Sequence, residues 1–270
     1  MVDVQLNDII EKVKALPPLP TSFQKINEIC DDPEGSIGEL AKVIEHDPMI
    51  TANIIKAASS PLYGLRHEIR NVLQAVSLFG MSMTRSIAAN ISIKKLLSVD
   101  LEPYSISPDT FTDISTMQSA LIKSWYSKVD KSKLELLFLP ALLQEIGKII
   151  ISDEIIRANQ VKEFKDALKQ KSISEVEKEF VGMTTAKVTA TMLNHWNFDE
   201  IFVNIIDNSD NYMDAPEEIR EYSFALKVIK TVLPTCLKID EENVNKAAKM
   251  VSDFGMDEEL FLNVIKEFQG

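Results

Sequence analysis

Apolar residues recur at helical spacing along nearly the whole chain, and this periodicity is the feature that most restricts its fold. In the first segment Val4, Ile9, Ile10 and Val13 fall on one stripe, and comparable stripes follow through the rest of the sequence. Neither a convincing pair of strand-like segments nor a glycine-rich phosphate loop interrupts the pattern. The sequence therefore predicts an all-α fold.

Proline, glycine and capping residues mark where the helices begin and end. Leu16–Pro20 (LPPLP) stops the first helix, and Ser36–Glu39 has the spacing of a capping box. Asp47 followed by Pro48 combines an N-cap with a proline at the first helical position. Gly80 is expected to close a short apolar helix before a longer one begins. These signals predict a succession of short helices in the first third of the chain.

A rise in polarity with two prolines over Val99–Pro108 indicates a hinge between two packed helical subdomains. We expect an N-terminal helical subdomain at residues 1–105 and a second helical bundle at residues 106–212. Acidic amphipathic helices over residues 213–270 are expected to pack on the second bundle or to extend it.

The net charge of −12, from 41 acidic and 29 basic residues, works against non-specific binding to nucleic acid or to anionic lipid. Cys30 and Cys236 have no CxxC partner, which is typical of reduced thiols in a cytosolic protein. The amphipathic, acidic start does not resemble a signal peptide, and no apolar run reaches the roughly 18 residues of a membrane span. These features predict a soluble, cytoplasmic protein that binds neither nucleic acid nor membrane.

One buried helix is expected over Leu134–Ile151. Its most apolar part, Leu139–Ile151, contains a polar pair, Gln144 and Glu145. One interpretation makes Glu145 a metal ligand or a general base whose pKa is raised by its apolar surroundings. The other makes it a carboxylate at the helix surface or paired with a lysine such as Lys148. Spacing alone leaves both interpretations open.

The three histidines give little sign of a metal site, because no two of them have HxxxH or HxH spacing. His46 is expected at a helix end, where Asp47 serves as the next cap, and His67 is expected in a loop. His195 is expected at another helix end, beside Trp196 in the core. The metal-site signal from the histidines is therefore weak.

A series of motifs resembles the HDOD (HD-related output domain) family of bacterial signalling proteins, over roughly residues 10 to 210. The matching segments are, in chain order, Leu16–Pro20, Asp32-Pro33, Leu40–Ile44, Asp47–Thr51, Ser59–Gly64, Ala75–Gly80, Leu142–Lys148, Val181-Gly182 and Leu193–Phe198. The resemblance implies two helical subdomains, of which the second is a bundle like the HD domain of metal-dependent phosphohydrolases.

The chain departs from those enzymes where the resemblance places metal ligands. The pair Gln144-Glu145 stands in place of the His-Asp dyad. Histidines expected at three further positions are missing from Met117–Ser119, Gly182–Thr185 and Asp207–Asp210. The resemblance thus implies a degenerate site in which no dinuclear metal centre can form. No catalytic residue, no metal and no cofactor are therefore expected.

These departures favour a non-enzymatic signal-transduction domain of a bacterial regulatory pathway. It would act by binding a regulatory protein partner, or a small-molecule or nucleotide ligand, on the degenerate scaffold. The expected place is a cleft between the two lobes, at the degenerate positions Gln144, Glu145, Thr184, Thr185, Asn208 and Ser209.

An alternative is a metal-dependent phosphohydrolase with unusual, carboxylate-rich ligands. Glu145, Asp207 and Asp210 would supply them. A third interpretation, a DNA-binding helical regulator, is disfavoured by the net charge of −12.

Overall fold

The computed structural model describes residues 2–63, 69–97, 100–234 and 239–269, and every regular element in these ranges is helical. The all-α prediction is therefore confirmed. Two of the residues discussed above, His67 and Cys236, lie outside the described ranges.

The helices follow one another with short connections. They are α1 (Val2–Lys14), α2 (Thr21–Asp31), α3 (Ile37–Glu45), α4 (Pro48–Ala58), α5 (Val72–Leu96), α6 (Pro108–Val129), α7 (Leu134–Leu143), α8 (Gly147–Arg157), α9 (Val161–Leu168), α10 (Ile173–Val181), α11 (Thr185–His195), α12 (Glu200–Asp207), α13 (Glu217–Val232), α14 (Glu241–Asp253) and α15 (Glu258–Gln269). Short 3₁₀ turns stand at Pro61–Tyr63, Glu102–Tyr104, Lys131–Lys133 and Tyr212–Asp214.

The chain forms two compact units. The smaller unit is Pro17–Ser98, and the larger unit combines Met1–Leu16 with Val99–Gly270. The subdomain boundary expected near residue 105 stays a prediction.

The smaller unit, α2 to α5, is built from the caps that the sequence predicts. Ser36 accepts a hydrogen bond from the backbone of Glu39, whose side chain in turn accepts from the backbone of Ser36. Asp47 accepts from the backbone N–H groups of the first turn of α4. Gly80, with φ of +73°, interrupts α5 as expected, because a residue without a Cβ adopts this conformation readily. The core between the helices is apolar and includes Phe23 and Ile44.

The first helix, α1, is part of the larger unit, where it contacts α8, α10 and α11. Its apolar stripe buries Ile9 and Val13. Lys12 forms ion pairs with Asp153, at 2.8 Å, and with Glu154. These contacts fix α1 across three helices that also carry the polar groups described below.

The apolar segment predicted as one helix from Leu134 to Ile151 is two helices, α7 and α8, joined by a turn at residues 144–146. Close packing against α11 explains the break. A Cβ atom on Gly147 would lie 2.5 Å from the carbonyl oxygen of Thr185. The Gly147 N–H donates to the Thr189 hydroxyl at 2.9 Å, and that hydroxyl donates to the Gln144 carbonyl at 3.2 Å. The turn that carries Gln144 and Glu145 is therefore anchored to α11.

The C-terminal helices complete the core of the larger unit. Phe261 of α15 packs edge-on against Trp125 of α6, with ring centroids 4.9 Å apart. Phe254, at the end of α14, stacks on Phe224 of α13 at 3.9 Å. No helix in the described ranges is long and apolar enough to cross a membrane.

Candidate functional site

Polar side chains from four segments of the larger unit meet in its interior, and we call them the buried polar cluster. The segments are α6, the α7–α8 turn with the start of α8, α10 with the nearby Tyr104, and the start of α11. The cluster consists of Tyr104, Gln118, Gln144, Glu145, Lys148, Glu177 and Thr185, all of them buried.

An ion pair between Lys148 and Glu145 lies at the centre of this cluster. The two side chains are only 5% and 3% exposed, and the Lys148 ammonium donates to Glu145 Oε2 and, at 3.4 Å, to the Thr185 hydroxyl. Burial alone would lower the pKa of Lys148, but the charges of Glu145 and Glu177 outweigh it and raise this pKa overall. Of the two interpretations of Glu145, the structure therefore shows the pairing with Lys148.

Glu177 is the second buried carboxylate, and it is surrounded by donors. It accepts hydrogen bonds from the Tyr104 hydroxyl at 2.9 Å, from the Thr185 backbone at 2.6 Å and from the Thr185 hydroxyl at 2.5 Å. Burial raises the pKa of Glu177, although Lys148 and the three hydrogen bonds oppose the shift. Neither Glu177 nor Tyr104 is predicted from the sequence, because no local pattern there indicates that the two side chains are buried together.

Gln144 and Gln118 form a hydrogen-bonded pair that connects the α7–α8 turn to α6 and to the end of α13. Gln144 Nε2 donates to Gln118 Oε1 at 2.9 Å. Gln118 Nε2 donates to the Leu233 carbonyl at 2.7 Å and, more weakly, to Glu145 at 3.4 Å. Gln144 Oε1 is buried and has no hydrogen-bond partner among the described residues. Gln144 thus belongs to the interior of the unit, where Gln118 holds its side chain.

The remaining predicted site residues belong to the same unit but have different roles. Thr184 is the N-cap of α11 and accepts from the Lys187 backbone at 3.3 Å. Ser209 is buried and accepts from the Lys230 ammonium at 3.2 Å. Asn208 ends α12 and donates to the Asn204 carbonyl at 2.9 Å. Of the six predicted residues, Glu145 and Thr185 accept hydrogen bonds from Lys148.

Beside the cluster lies a small cavity of about 150 Å³, which we call the inner pocket. Glu145, Lys148, Glu177 and Thr185 line one part of it. Other lining residues are Asp210, Lys227, Lys230, Thr231, Pro234 and the residues that begin α10, Ser172, Ile173 and Ser174. The inner pocket therefore places the cluster next to a second set of charged groups.

Asp210 is held by lysines of α13. Its carboxylate lies 3.0 Å from Lys230 Nζ and 3.6 Å from Lys227 Nζ. Burial by itself would raise the pKa of Asp210, but these two ammonium groups and hydrogen bonds lower it overall. Neither lysine is predicted from the sequence, because only the tertiary packing of α13 brings them to this cavity.

The donors present do not fit the metal centre of an HD phosphohydrolase. In the described part of the chain no three His, Cys, Asp or Glu side chains come close enough to hold a metal ion. The carboxylates proposed as unusual ligands each face a lysine: Glu145 faces Lys148, Asp207 faces Lys187 at 2.6 Å, and Asp210 faces Lys230.

The two described histidines lie apart from the cluster. His46 caps α3 in the smaller unit, where its Nδ1 lies 2.6 Å from the Lys42 carbonyl oxygen. His195 ends α11, and its Nε2 lies 3.0 Å from the Leu16 carbonyl oxygen. Both positions at helix ends agree with the sequence analysis, and neither imidazole bonds to a residue of the buried polar cluster.

Comparison with known proteins supports the sequence resemblance. The family model of the HDOD domain matches residues 16–212. A search of curated proteins finds no match.

Several solved structures share the fold. One is an HDOD domain protein with unknown function from Geobacter sulfurreducens, with TM-score 0.73 and 16% identity over 99% of this chain and 95% of that one. A candidate phosphohydrolase from Shewanella amazonensis has TM-score 0.71 and 18% identity over 96% and 93%. A virulence factor from Campylobacter jejuni has TM-score 0.59 and 24% identity over 99% and 95%. At these identities the likeness shows the fold alone.

Proposed function

Because the chain belongs to the HDOD family, we propose that it is a non-enzymatic, cytoplasmic regulatory module that acts by binding, without turnover. The observation that carries this proposal is the buried ion pair at the position of the missing dyad. There the Lys148 ammonium bonds to Glu145 and to Thr185.

A hydrolytic metal centre needs several ligands with free lone pairs and an open position for water or substrate. Here Glu145 is neutralised by an ammonium from its own chain, and Gln144 is bonded to Gln118. Bringing a metal to Glu145 would leave Lys148, only 5% exposed, as a buried charge without its partner. That state is costly, since breaking a buried pair typically costs about 3–5 kcal/mol.

The cluster is well placed to convert binding into a change of packing. Its members lie on or directly beside α6, α8, α10 and α11, and α1 contacts the last three of these helices. A ligand at the inner pocket would contact the cluster through Lys148, Glu177 and Thr185. If the ligand prefers one arrangement of these helices, it shifts the population toward that arrangement, and a protein partner can read the result.

The experiment that tests this function is a hydrolysis assay on the full chain. The protein is incubated with Mn²⁺ or Mg²⁺ and the chromogenic phosphodiester bis(p-nitrophenyl) phosphate. The expected result is release of nitrophenol no faster than in buffer with metal alone. The proposal would be overturned by turnover that is lost in Glu145→Gln and kept in the exposed-site control Glu267→Gln. Such turnover would favour the carboxylate-rich phosphohydrolase.

A further inference from the structure

Two cavities of the larger unit meet at the start of α10. One is the inner pocket, of about 150 Å³. The other, which we call the outer cavity, has a volume of about 1370 Å³ and is bordered by α9, Tyr104 and the start of α14. Ser172, Ile173 and Pro234 line both. The two spaces are thus neighbours, the larger beside the smaller.

The carboxylates of the inner pocket are already supplied with donors. Glu177 accepts three hydrogen bonds, from Tyr104 and Thr185. Glu145 accepts from Lys148 and Gln118. Asp210 accepts from Lys230, and a hydrogen bond from Thr184 further lowers its pKa. Each of these carboxylates is therefore already bonded to donors of its own chain.

The ammonium groups of the pocket, in contrast, retain donors. Each lysine has three N–H groups. Lys148 uses two of them, on Glu145 and Thr185, and Lys230 uses two, on Ser209 and Asp210. Lys227 lies 3.6 Å from Asp210, a distance beyond a good hydrogen bond. The lysines of the pocket therefore keep N–H donors that a further acceptor can use.

Crowding of positive charge at one wall supports the same conclusion. The pKa of Lys227 is lowered, first by burial and then by repulsion from Lys230 and Lys246, which outweigh the attraction of Asp210. An anion beside Lys227 would relieve this repulsion. The backbone at the start of α10 adds N–H groups that a helix leaves unbonded at its first turn.

A small anionic group that only accepts hydrogen bonds suits these lysine N–H donors, and a phosphate group is of this kind. Phosphate oxygens accept from lysine ammonium, hydroxyl and backbone N–H groups alike. The inner pocket, at about 150 Å³, is too small for a whole nucleotide. The outer cavity, however, has room for the rest of such a molecule.

Beside the acidic residues Glu102, Glu163, Asp166 and Glu242, the outer cavity is lined by lysines on and after α9, namely Lys162, Lys165, Lys169 and Lys171. Three of these have acidic partners: Lys165 pairs with Glu102, Lys169 with Asp166 and Lys171 with Glu179. Such exposed pairs contribute little to stability, so a phosphorylated ligand can exchange them at little cost.

We propose that the inner pocket binds the phosphate group of a small phosphorylated molecule, whose remainder lies in the outer cavity. This inference rests on the proposed function, since it takes the phosphate as a ligand that is held and not hydrolysed. Lys227 and Lys230 contact the phosphate directly, and Lys148 links it to the buried polar cluster.

The test is isothermal titration calorimetry of the full chain with inorganic phosphate and, separately, with a nucleoside monophosphate. Binding of either probe is expected, and Lys227→Met should weaken it about tenfold or more, since a hydrogen bond to a charged group contributes roughly 1.5–3 kcal/mol. The control Lys128→Met removes an exposed lysine that pairs with Glu267 and should bind like the wild type.

Lys230→Met is a second variant, and a thermal melt of each variant confirms that it is folded. Tighter binding of the nucleoside monophosphate assigns the outer cavity to the remainder of the ligand. Tighter binding of inorganic phosphate identifies the free ion as the ligand of the same pocket. No binding of either probe, or binding that folded Lys227→Met and Lys230→Met leave unchanged, would overturn the site. Release of phosphate from the bound monophosphate would instead overturn the non-enzymatic function, so the two failures are distinguishable.

Discussion

The smaller and the larger unit differ in their net charge and in whether they bury charged side chains. Between residues 17 and 98 acidic and basic residues are equal in number, eight of each, so the net charge of −12 falls on the larger unit. Among the described residues, the buried charged side chains (Glu145, Lys148 and Glu177) also lie in the larger unit. The smaller unit is held by an apolar core and local caps, whereas the larger unit contains a polar interior that a ligand can perturb. The buried charged groups that are proposed to contact a ligand therefore lie in the larger unit.

The two units can be followed separately, because both tryptophans of the chain, Trp125 and Trp196, lie in the larger unit. Tryptophan fluorescence during urea unfolding therefore reports on the larger unit, and far-ultraviolet circular dichroism reports on the helices of both. The following predictions use this pair of measurements.

The largest effect is expected from Lys148→Met, which leaves the Glu145 carboxylate buried without its cation. The fluorescence transition should show a loss of about 3–5 kcal/mol in the free energy of unfolding. The double variant Glu145→Met/Lys148→Met should recover most of this loss, because the uncompensated charge is gone. Lys128→Met is the matched control at an exposed pair and should cost less than about 1 kcal/mol. A Lys148→Met protein as stable as this control would mean that the pair is not buried as described.

A second contrast compares one glycine in each unit. Gly147→Ala places a Cβ 2.5 Å from the Thr185 carbonyl oxygen and 2.9 Å from the Thr189 nitrogen, both backbone atoms. Such overpacking is expected to destabilise the larger unit by about 1–3 kcal/mol in the fluorescence transition. Gly38→Ala in α3 meets nothing within 4 Å and should stabilise the smaller unit by roughly 0.5–1 kcal/mol. Equal effects of the two substitutions would contradict the close contact between α8 and α11.

The charge on Asp210 predicts how the larger unit responds to acid. Although burial opposes it, the pKa of Asp210 is lowered in the folded state by Lys230 and Lys227. The unfolded state therefore binds the proton more readily, so the stabilisation is complete above the unfolded pKa of about 3.9 and is lost as the pH falls toward the folded value. Asp210→Asn should cost about 1–3 kcal/mol at pH 7 and should flatten the loss of stability between about pH 5 and pH 3. A variant whose unfolding free energy follows the wild-type pH profile would contradict the ion pair.

The smallest effect is expected from a cap in the smaller unit. Asp47→Ala removes the acceptor for the Met49 and Ile50 N–H groups and for the Ser22 hydroxyl. The expected cost is about 1 kcal/mol in the circular dichroism transition, with the tryptophan transition unchanged. If both transitions shift together, the two units unfold as one and the comparison between them must be revised.

The parts of the fold that the sequence predicted are those that depend on neighbours along the chain. The Ser36–Glu39 capping box, the Asp47-Pro48 start of α4 and the break at Gly80 all appear as expected, because each depends on residues within one or two turns. The break between α7 and α8 was missed. It depends on the close approach of α11, more than 35 residues further along the chain.

The candidate site, too, could be predicted only where the signal lies between neighbours along the chain. Glu145 stood out because it interrupts an apolar segment, and Lys148 lies within the same motif. Glu177, Lys227 and Lys230 were not predicted, since they meet around the inner pocket only through the packing of α10 and α13. Tyr104 was not predicted either, since its bond to Glu177 joins residues 73 positions apart. Asn208 was predicted for the site but bonds within its own helix.

The most direct test of the central claim is the metal content of the full chain, purified without chelator and measured by elemental analysis after dialysis against Mn²⁺, Fe²⁺ or Zn²⁺. Because Glu145 is paired with Lys148, we expect much less than one equivalent of any metal. The metal content of Glu145→Gln should be the same. One or two equivalents of metal that Glu145→Gln removes would contradict this claim.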